Sequence, residues 1–161
     1  MPIESRLAEL GVSLPKVAES KGHYVSYKRV GPLLYISGQL CIGADGTIAE
    51  AHRGKIGSKI TETEGYAAAR LCLLAVLAHA RLALGSLDRL KSCVRLGGFV
   101  NAEPDYTTPG TVMNGASDAI VEIMGEAGRH SRTTIGVATL PLGACVEVEA
   151  VFEVHQDQET P

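Results

Sequence analysis

Residues 129–154, RHSRTTIGVATLPLGACVEVEAVFEV, decide the fold. Apolar and polar residues alternate on both sides of a Leu-Pro-Leu-Gly turn at 140–143. Side chains of a strand point alternately to the two faces of its sheet, so this pattern is typical of strands that are buried on one face only. We predict two strands joined as a hairpin that turns near Leu142 and Gly143.

Each of these strands has one face suited to covering helices. In the first, Ile135 and Val137 share a face, and we expect that face to lie against helices. Arg132 and Glu147 should then lie on the uncovered face, on the order of 20 Å apart in one chain and too distant to share a small substrate. That face also carries a few small or apolar residues, which favours burial against a partner over solvation: Gly136, Ala138 and Val151.

The amino-terminal half predicts a helix and a second hairpin. Ile3, Leu7 and Leu10 have helical spacing before Gly11, which indicates a short docking helix. HYVSYKRV (23–30) and LLYISGQL (33–40) are rich in β-branched and aromatic residues and are separated by Gly31-Pro32. Between residues 41 and 60, glycines interrupt any helical or strand periodicity of the apolar residues, so we expect a loop there.

The middle of the chain predicts two longer helices with a strand between them. Residues 61–84 begin with Thr61 and Glu64 in capping-box spacing and carry an apolar face. Residues 90–101 predict a strand, with Val94, Leu96 and Val100 on one side. Residues 109–125 predict a second helix that begins near Pro109. The resulting order, β-β-α-β-α-β-β, predicts an α+β domain with a mixed sheet and helices on one face.

Composition limits the function. The chain has 161 residues, a formal net charge of −3 and 20% charged residues. No basic face is available for a phosphate backbone, so we expect no nucleic-acid partner. No stretch approaches the roughly 20 apolar residues of a membrane span, and the first residues lack an apolar leader segment. We therefore expect a cytoplasmic protein without a membrane partner.

The cysteines and histidines predict no metal site. Four cysteines occur singly, and neither they nor the five histidines show zinc-ligand spacing. We interpret the cysteines as reduced thiols: Cys41, Cys72, Cys93 and Cys145. Neither a Walker nor a dinucleotide-binding fingerprint is present, and no cofactor is expected.

Three stretches resemble the Rid family of reactive-intermediate deaminases, whose members are often labelled L-PSP endoribonucleases. They are YISGQL (35–40), GFVNAEPDY (98–106) and SRTTIGVATLPLGACVEVEAVFEV (131–154). The resemblance covers residues 23–154, and residues 1–22 resemble an extension found in a longer-chained branch. Residues 155–161 form a carboxy-terminal tail. The resemblance implies a chorismate-mutase-like fold, a homotrimer with clefts between subunits, and hydrolysis of enamines or imines to keto acids and ammonia.

The resemblance also assigns site residues. It makes Arg132 the ligand of a substrate carboxylate and Glu147 the residue that orients water. Tyr24 would line the cleft, the backbone of Ser37 and Gly38 would meet the substrate, and Asn114 would contact it from the second helix. Thr134 stands where many members carry a reactive cysteine, which argues against a thiol-based role.

The predicted chemistry suits these residue types. An α-imino acid has a carboxylate beside an electrophilic C=N carbon, and a guanidinium can hold that carboxylate through paired hydrogen bonds. Glu147 would then orient water or act as the base. Two other functions stay open: a trimeric carboxylate-binding or regulatory protein without turnover, and an endoribonuclease.

Each assignment has a structural alternative. Arg132 could be a solvated arginine at a strand end or half of an intersubunit ion pair, and Glu147 could be an ordinary surface residue of an alternating strand. Tyr24 could pack on a strand. Ser37-Gly38 could form a turn, and Asn114 could bond local backbone at the helix start.

Overall fold

A computed structural model of the chain describes residues 1–17 and 22–156. Within these residues, a five-stranded sheet has the order β1-β2-β5-β3-β4. Its strands are β1 (Tyr27–Val30), β2 (Leu33–Leu40), β3 (Leu90–Asn101), β4 (Ser131–Val137) and β5 (Val146–Val154). β3 and β4 run parallel, whereas the other neighbours are antiparallel. The predicted mixed sheet is confirmed.

The helices are α1 (Ile3–Glu9), α2 (Glu62–Leu84) and α3 (Pro109–Met124). Thr61 and Glu64 form the expected capping box at the start of α2, which satisfies two backbone donors that the helix leaves open. α2 packs on α3 and on strands β2 and β5, and α3 packs on β3 and β4. The predicted order β-β-α-β-α-β-β is therefore confirmed, with α1 preceding it.

The core lies between the sheet and the two long helices. β5 alternates as expected: Val146, Val148, Ala150, Phe152 and Val154 are buried. β3 departs from its predicted face, because a β-bulge between Cys93 and Arg95 shifts the register. Leu96 and Val100 are buried as expected, but Val94 is 39% exposed on the other side.

Helix α2 is long and apolar enough to cross a membrane by length and composition, contrary to the sequence expectation that no stretch approaches this limit. Two thirds of its most apolar window, 67%, is buried inside the fold. Its apolar character is therefore explained by packing, since it contacts α3 on one side and the sheet on another.

The predicted hairpin between β4 and β5 is wrong. β3 lies between them: Leu96 of β3 aligns with Arg132 of β4 and with Ala150 of β5. β3, α3 and β4 form a β-α-β unit, which returns the chain parallel to β3, and the Pro-Leu-Gly turn then carries it past the end of β3 to the strand's other edge. Alternation records burial of a strand, but it does not identify the strand's neighbour.

The predicted face of Arg132 is also wrong. Arg132 aligns with Leu96, which is fully buried toward the helices, so its side chain lies on the helix side of the sheet. Thr134 and Gly136 share that side, whereas Ile135 is 47% exposed on the open face. β4 is an edge strand, and its helix side is covered only by α3, so polar residues can stay in contact with solvent there.

Helix α1 docks where its spacing indicates, through the buried residues Ile3 and Leu7. Glu4 fixes it further by accepting hydrogen bonds from the Arg81 guanidinium and from the Leu87 backbone N–H. Residues 18–21, at the end of the predicted extension, and 157–161 of the predicted tail lie outside the described residues.

Candidate functional site

Arg132 is held by three acceptors of α3. Its Nη1 donates to Asn114 Oδ1 at 2.9 Å and to Ser117 Oγ at 3.0 Å, and its Nη2 donates to the Gly110 carbonyl at 3.4 Å. Gly110, Asn114 and Ser117 form one stripe of the helix because they are spaced by four and three residues. The stripe fixes the orientation of the guanidinium before any ligand binds.

These contacts leave part of the guanidinium open. A guanidinium has five N–H donors, and both Nη1 donors and one Nη2 donor are engaged. Among residues 1–17 and 22–156 the Nε donor and the second Nη2 donor have no partner, and the side chain is exposed to solvent. Two donors of one planar group match the two oxygens of a carboxylate. The arrangement can therefore bind one carboxylate without losing its internal contacts.

Glu147 lies on the open face of the sheet, between Leu40 of β2 and Phe99 of β3. It forms no salt bridge within the described part of the chain, whereas the next carboxylate on this face, Glu149, pairs with Arg95 at 2.8 Å. Burial, reinforced by the negative charge of Glu149, raises the pKa of the Glu147 carboxyl above its ordinary value. A carboxyl whose pKa is raised holds a proton more tightly than an ordinary glutamate and can act as a proton acceptor or donor.

Ser37 and Gly38 form a β-bulge in β2 directly beside Glu147. The register shifts between Ile36 and Gln39, so two residues of β2 oppose one of β5. A β-carbon on Gly38 would come 2.0 Å from Glu147 Oε1, so only glycine leaves room for this carboxylate. The bulge at Ser37 and Gly38 therefore brings the β2 backbone against the Glu147 carboxylate.

Tyr24 lies in the loop that precedes β1, because the strand begins at Tyr27 and not at residue 23 as predicted. Its side chain is 60% exposed. The loop is tied to the bulge: Ser37 Oγ donates to the Val25 carbonyl at 2.8 Å, and the Ser37 N–H donates to the Ser26 carbonyl at 2.9 Å. These bonds attach the loop that carries Tyr24 to the bulge.

Thr134 lies two residues after Arg132 on the same side of β4. Its Oγ1 is shielded from solvent and has no hydrogen-bond partner within the described residues. A shielded hydroxyl without a partner is uncommon in native proteins and is a feature of functional positions. Thr134 belongs to the Arg132 group by position.

The structure therefore divides the predicted residues into two groups. Arg132, Asn114 and Thr134 form one group on the helix side of the edge strand. The other group consists of Glu147 on the open face, the β2 bulge at Ser37 and Gly38, and Tyr24 in the loop before β1. Arg132 aligns with Leu96, and Leu96 aligns with Ala150 of β5, which is three residues from Glu147. Two strand spacings and three residues along the strand separate the Cα atoms of Arg132 and Glu147 by about 14 Å. Because the two side chains point to opposite faces, they cannot contact one small molecule in a single chain.

Sequence reasoning missed three contributors to the Arg132 group. Ser117 and the Gly110 carbonyl bind the guanidinium directly, and His130 binds Ser117. The helical spacing 110-114-117 could have identified the first two once Asn114 was chosen. His130 lies two residues before Arg132, which is the period of a strand. No motif requires a histidine at that position.

The described residues hold no cluster of three or more histidine, cysteine, aspartate or glutamate side chains that could bind a metal ion. The four cysteines are free and buried.

Comparison with known proteins agrees with this architecture. The family model "YjgF/chorismate_mutase-like, putative endoribonuclease" matches residues 4–154. Protein TCP17 of Trypanosoma cruzi is 44% identical over 154 residues, which cover 95% of this chain and 94% of TCP17.

Solved structures show the same fold. Protein Atu1372 of Agrobacterium tumefaciens, of unknown function, is 40% identical with a TM-score of 0.86, covering 95% of this chain and 92% of its own. A protein from Shewanella oneidensis MR-1 is 38% identical with a TM-score of 0.90, covering 96% of this chain and all of its own. The Escherichia coli YjgF product, at 22% identity and a TM-score of 0.61 over 89% of this chain and 98% of its own, shares the fold. The chain belongs to the YjgF/Rid family.

Proposed function

We propose that the protein hydrolyses reactive enamine and imine intermediates, such as 2-aminoacrylate, to 2-keto acids and ammonia. One observation carries the proposal: within the described residues, a pre-oriented guanidinium keeps two donors without a partner, and a carboxyl with a raised pKa forms no salt bridge. Family membership is consistent with this activity.

Arg132 would bind the substrate carboxylate. The carboxylate of an α-imino acid is bonded to the C=N carbon, so a two-point contact with the guanidinium fixes the position of that carbon as well. Because Asn114 and Ser117 already hold Nη1, the guanidinium loses little freedom when the ligand binds. Thr134 is the nearest side chain of β4 on the same side and would contact the same ligand.

Glu147 would transfer protons between water and the imine. It accepts a proton from the attacking water as the oxygen bonds to the C=N carbon, and the nitrogen takes up a proton to give a carbinolamine. Protonation of that nitrogen, with loss of the proton from the carbinolamine hydroxyl to Glu147, allows the C–N bond to break, which releases ammonia and leaves the keto acid. A raised pKa makes the carboxylate a stronger base for the first step than an ordinary glutamate. No metal or organic cofactor is required.

The complete site would form between subunits of a homotrimer. Members of the family are typically homo-oligomers. Within one chain Arg132 and Glu147 are on opposite faces, so a substrate that contacts both needs Arg132 of one subunit and Glu147 of its neighbour. The open face carries exposed apolar side chains that an assembly would cover, namely Tyr35 at 44%, Val94 at 39% and Ile135 at 47%. The backbone of Ser37 and Gly38, with Tyr24, would complete the cleft.

The cellular compartment follows from the thiols. Four free cysteines in a chain of this size fit a reducing environment, so we place the protein in the cytoplasm, with neither a membrane nor a nucleic acid as its partner.

The proposal is tested by generating 2-aminoacrylate in solution and following the release of keto acid. Because imines hydrolyse without a catalyst, the measured quantity is the rate above the uncatalysed reaction. We expect acceleration that is lost in Arg132→Ala. Keto-acid binding without acceleration would instead identify a carboxylate-binding protein. Cleavage of RNA that survives Arg132→Ala would identify a nuclease.

A further inference from the structure

Helix α3 carries a glycine, Gly110, at its second position. Its backbone is helical, and its φ lies outside the left-handed region that favours glycine. Glycine destabilises a helix relative to alanine, because it loses more conformational freedom on folding. A residue with a side chain would therefore be favoured at position 110 unless something other than the helix opposes it.

Two other glycines of this region have structural reasons that Gly110 does not share. A β-carbon on Gly115 would clash with the Tyr66 carbonyl group, so glycine there allows α2 and α3 to pack closely. Gly125 follows the last residue of α3 with a φ of 62°, a conformation that other residues rarely adopt. Gly110 has neither a close backbone neighbour of this kind nor a positive φ.

The space beside Gly110 leads to the Arg132 guanidinium. Among the described residues beyond the adjoining helix backbone, Arg132 Nη2 is the only atom that a β-carbon at position 110 would meet within 4 Å, at 3.4 Å. The same nitrogen donates to the Gly110 carbonyl and keeps one donor for a ligand. Gly110 is partly exposed. A longer side chain at this position would therefore stand beside the open donor of the guanidinium.

The geometry of a bound imino acid indicates what this space could hold. A carboxylate on the open edge of Arg132 places one oxygen at Nη2 and the other at Nε. The planar imine carbon next to it carries the nitrogen and the carbon substituent, and each of them lies beside one of the two oxygens. At the Nη2 end, Gly110 presents neither bulk nor a polar side chain, so this end suits the carbon substituent.

We propose that Gly110 is a specificity-determining residue, whose missing side chain admits α-imino acids with a bulky apolar substituent. The inference rests on the proposed role of Arg132 and adds a substrate class to it. A substrate with a small substituent leaves the space unused, so its hydrolysis depends much less on the residue at position 110.

The experiment compares the hydrolysis of two imino acids, which an amino-acid oxidase produces in solution from alanine and from phenylalanine. The measured quantity is the ratio of kcat/KM for the phenylalanine-derived imine to kcat/KM for the alanine-derived imine. We expect this ratio to fall about 10- to 100-fold in Gly110→Leu, because the leucine side chain fills the space beside Nη2. An unchanged ratio overturns the inference and leaves the proposed function intact.

Two further variants test whether the effect belongs to this position. Thr111→Leu adds the same side chain at the next residue of the helix, which is exposed, and should keep the wild-type ratio. Gly110→Ala adds a single carbon and should lower the ratio by a smaller factor than Gly110→Leu. A ratio that falls equally in Thr111→Leu would contradict the inference.

Calorimetry with pyruvate and phenylpyruvate separates this inference from the proposed function. The two keto acids share the carboxylate and differ in the carbon substituent. If the wild-type protein binds both but accelerates no hydrolysis, the proposed function fails, and Gly110→Leu should still weaken phenylpyruvate binding relative to pyruvate binding. A wild-type protein that binds pyruvate and excludes phenylpyruvate would overturn the inference. Binding of neither would overturn both.

Thermal unfolding tests the premise that the fold does not need glycine at position 110. Gly110→Ala should raise the midpoint of unfolding by about 2–4 °C, the effect of replacing glycine by alanine in a helix of a chain this size. Light scattering should show the oligomeric state of the wild type. A lower midpoint or a changed oligomeric state would show that glycine serves packing or assembly, and the inference would then be wrong.

Discussion

The surroundings of Arg132 and of Glu147 differ in almost every respect. The guanidinium is exposed but held by three acceptors of α3, whereas the carboxyl is half-buried and forms no salt bridge within the described residues. One group is fixed in orientation and always charged, and the other is free to change its protonation state. In the proposed mechanism the two groups therefore divide ligand binding and proton transfer between them, and within one chain they lie on opposite faces of the sheet.

The largest expected effect follows from removing the proton-transfer group. Glu147→Gln should lower kcat for imine hydrolysis about 100- to 10,000-fold, the usual contribution of a general base. Keto-acid binding should persist, because Arg132 is unchanged. Steady-state kinetics and calorimetry measure the two quantities.

Glu149→Gln is the matched control, since Glu149 lies on the same strand and face but is paired with Arg95. Its loss should change kcat no more than about twofold, as an exposed ion pair contributes little. Equal losses in the two variants would show that the unpaired state of Glu147 has no special role.

The second largest effect is expected from changing the Arg132 guanidinium. Arg132→Lys keeps the charge but cannot donate to Asn114, Ser117 and a ligand at once, so kcat/KM should fall about 100-fold with the midpoint of thermal unfolding nearly unchanged. Turnover equal to that of the wild type would contradict the two-point contact.

The difference between the two regions also shows what the sequence could reveal. Helical periods, the capping box at Thr61 and strand alternation predicted the elements and their order. Alternation in β4 could not tell that its partner is β3, nor that an edge strand turns Arg132 toward α3. The residues that hold Arg132 were missed because Ser117 and the Gly110 carbonyl become relevant only when α3 is placed on that edge. The bulge at Ser37-Gly38 depends on its register with β5.

A smaller effect is expected from crowding the carboxyl. Gly38→Ala would place a β-carbon 2.0 Å from Glu147 Oε1, so the side chain must move. We expect kcat to fall about 10-fold, because the displaced carboxylate no longer meets water at the correct position. Gly97→Ala is the matched control: its β-carbon would meet Glu149 Oε1 at 2.6 Å instead. Light scattering on both variants verifies that the assembly is unchanged, and a larger loss in Gly97→Ala would contradict the assignment.

The smallest effect is on stability. The folded state raises the pKa of Glu147 above its ordinary value of 4.5, so its contribution to stability decreases as the pH rises from 4.5 through the raised pKa. Glu147→Gln removes this pH-dependent loss of stability, because glutamine does not ionise. The variant should melt at a higher temperature than the wild type at pH 8, and the difference should shrink toward pH 4. Scanning calorimetry at one protein concentration measures it, and an equal difference at both pH values would contradict the titration.

The central claim is that Arg132 of one subunit acts with Glu147 of its neighbour. Arg132→Ala and Glu147→Ala chains, each inactive alone, should be unfolded together in equal amounts and refolded into mixed trimers. At a directional interface between subunits, one arrangement in four joins an intact arginine to an intact glutamate, so the mixture should recover about one quarter of wild-type activity. Mixed trimers, verified by mass spectrometry, that stay as inactive as their parents would contradict the account.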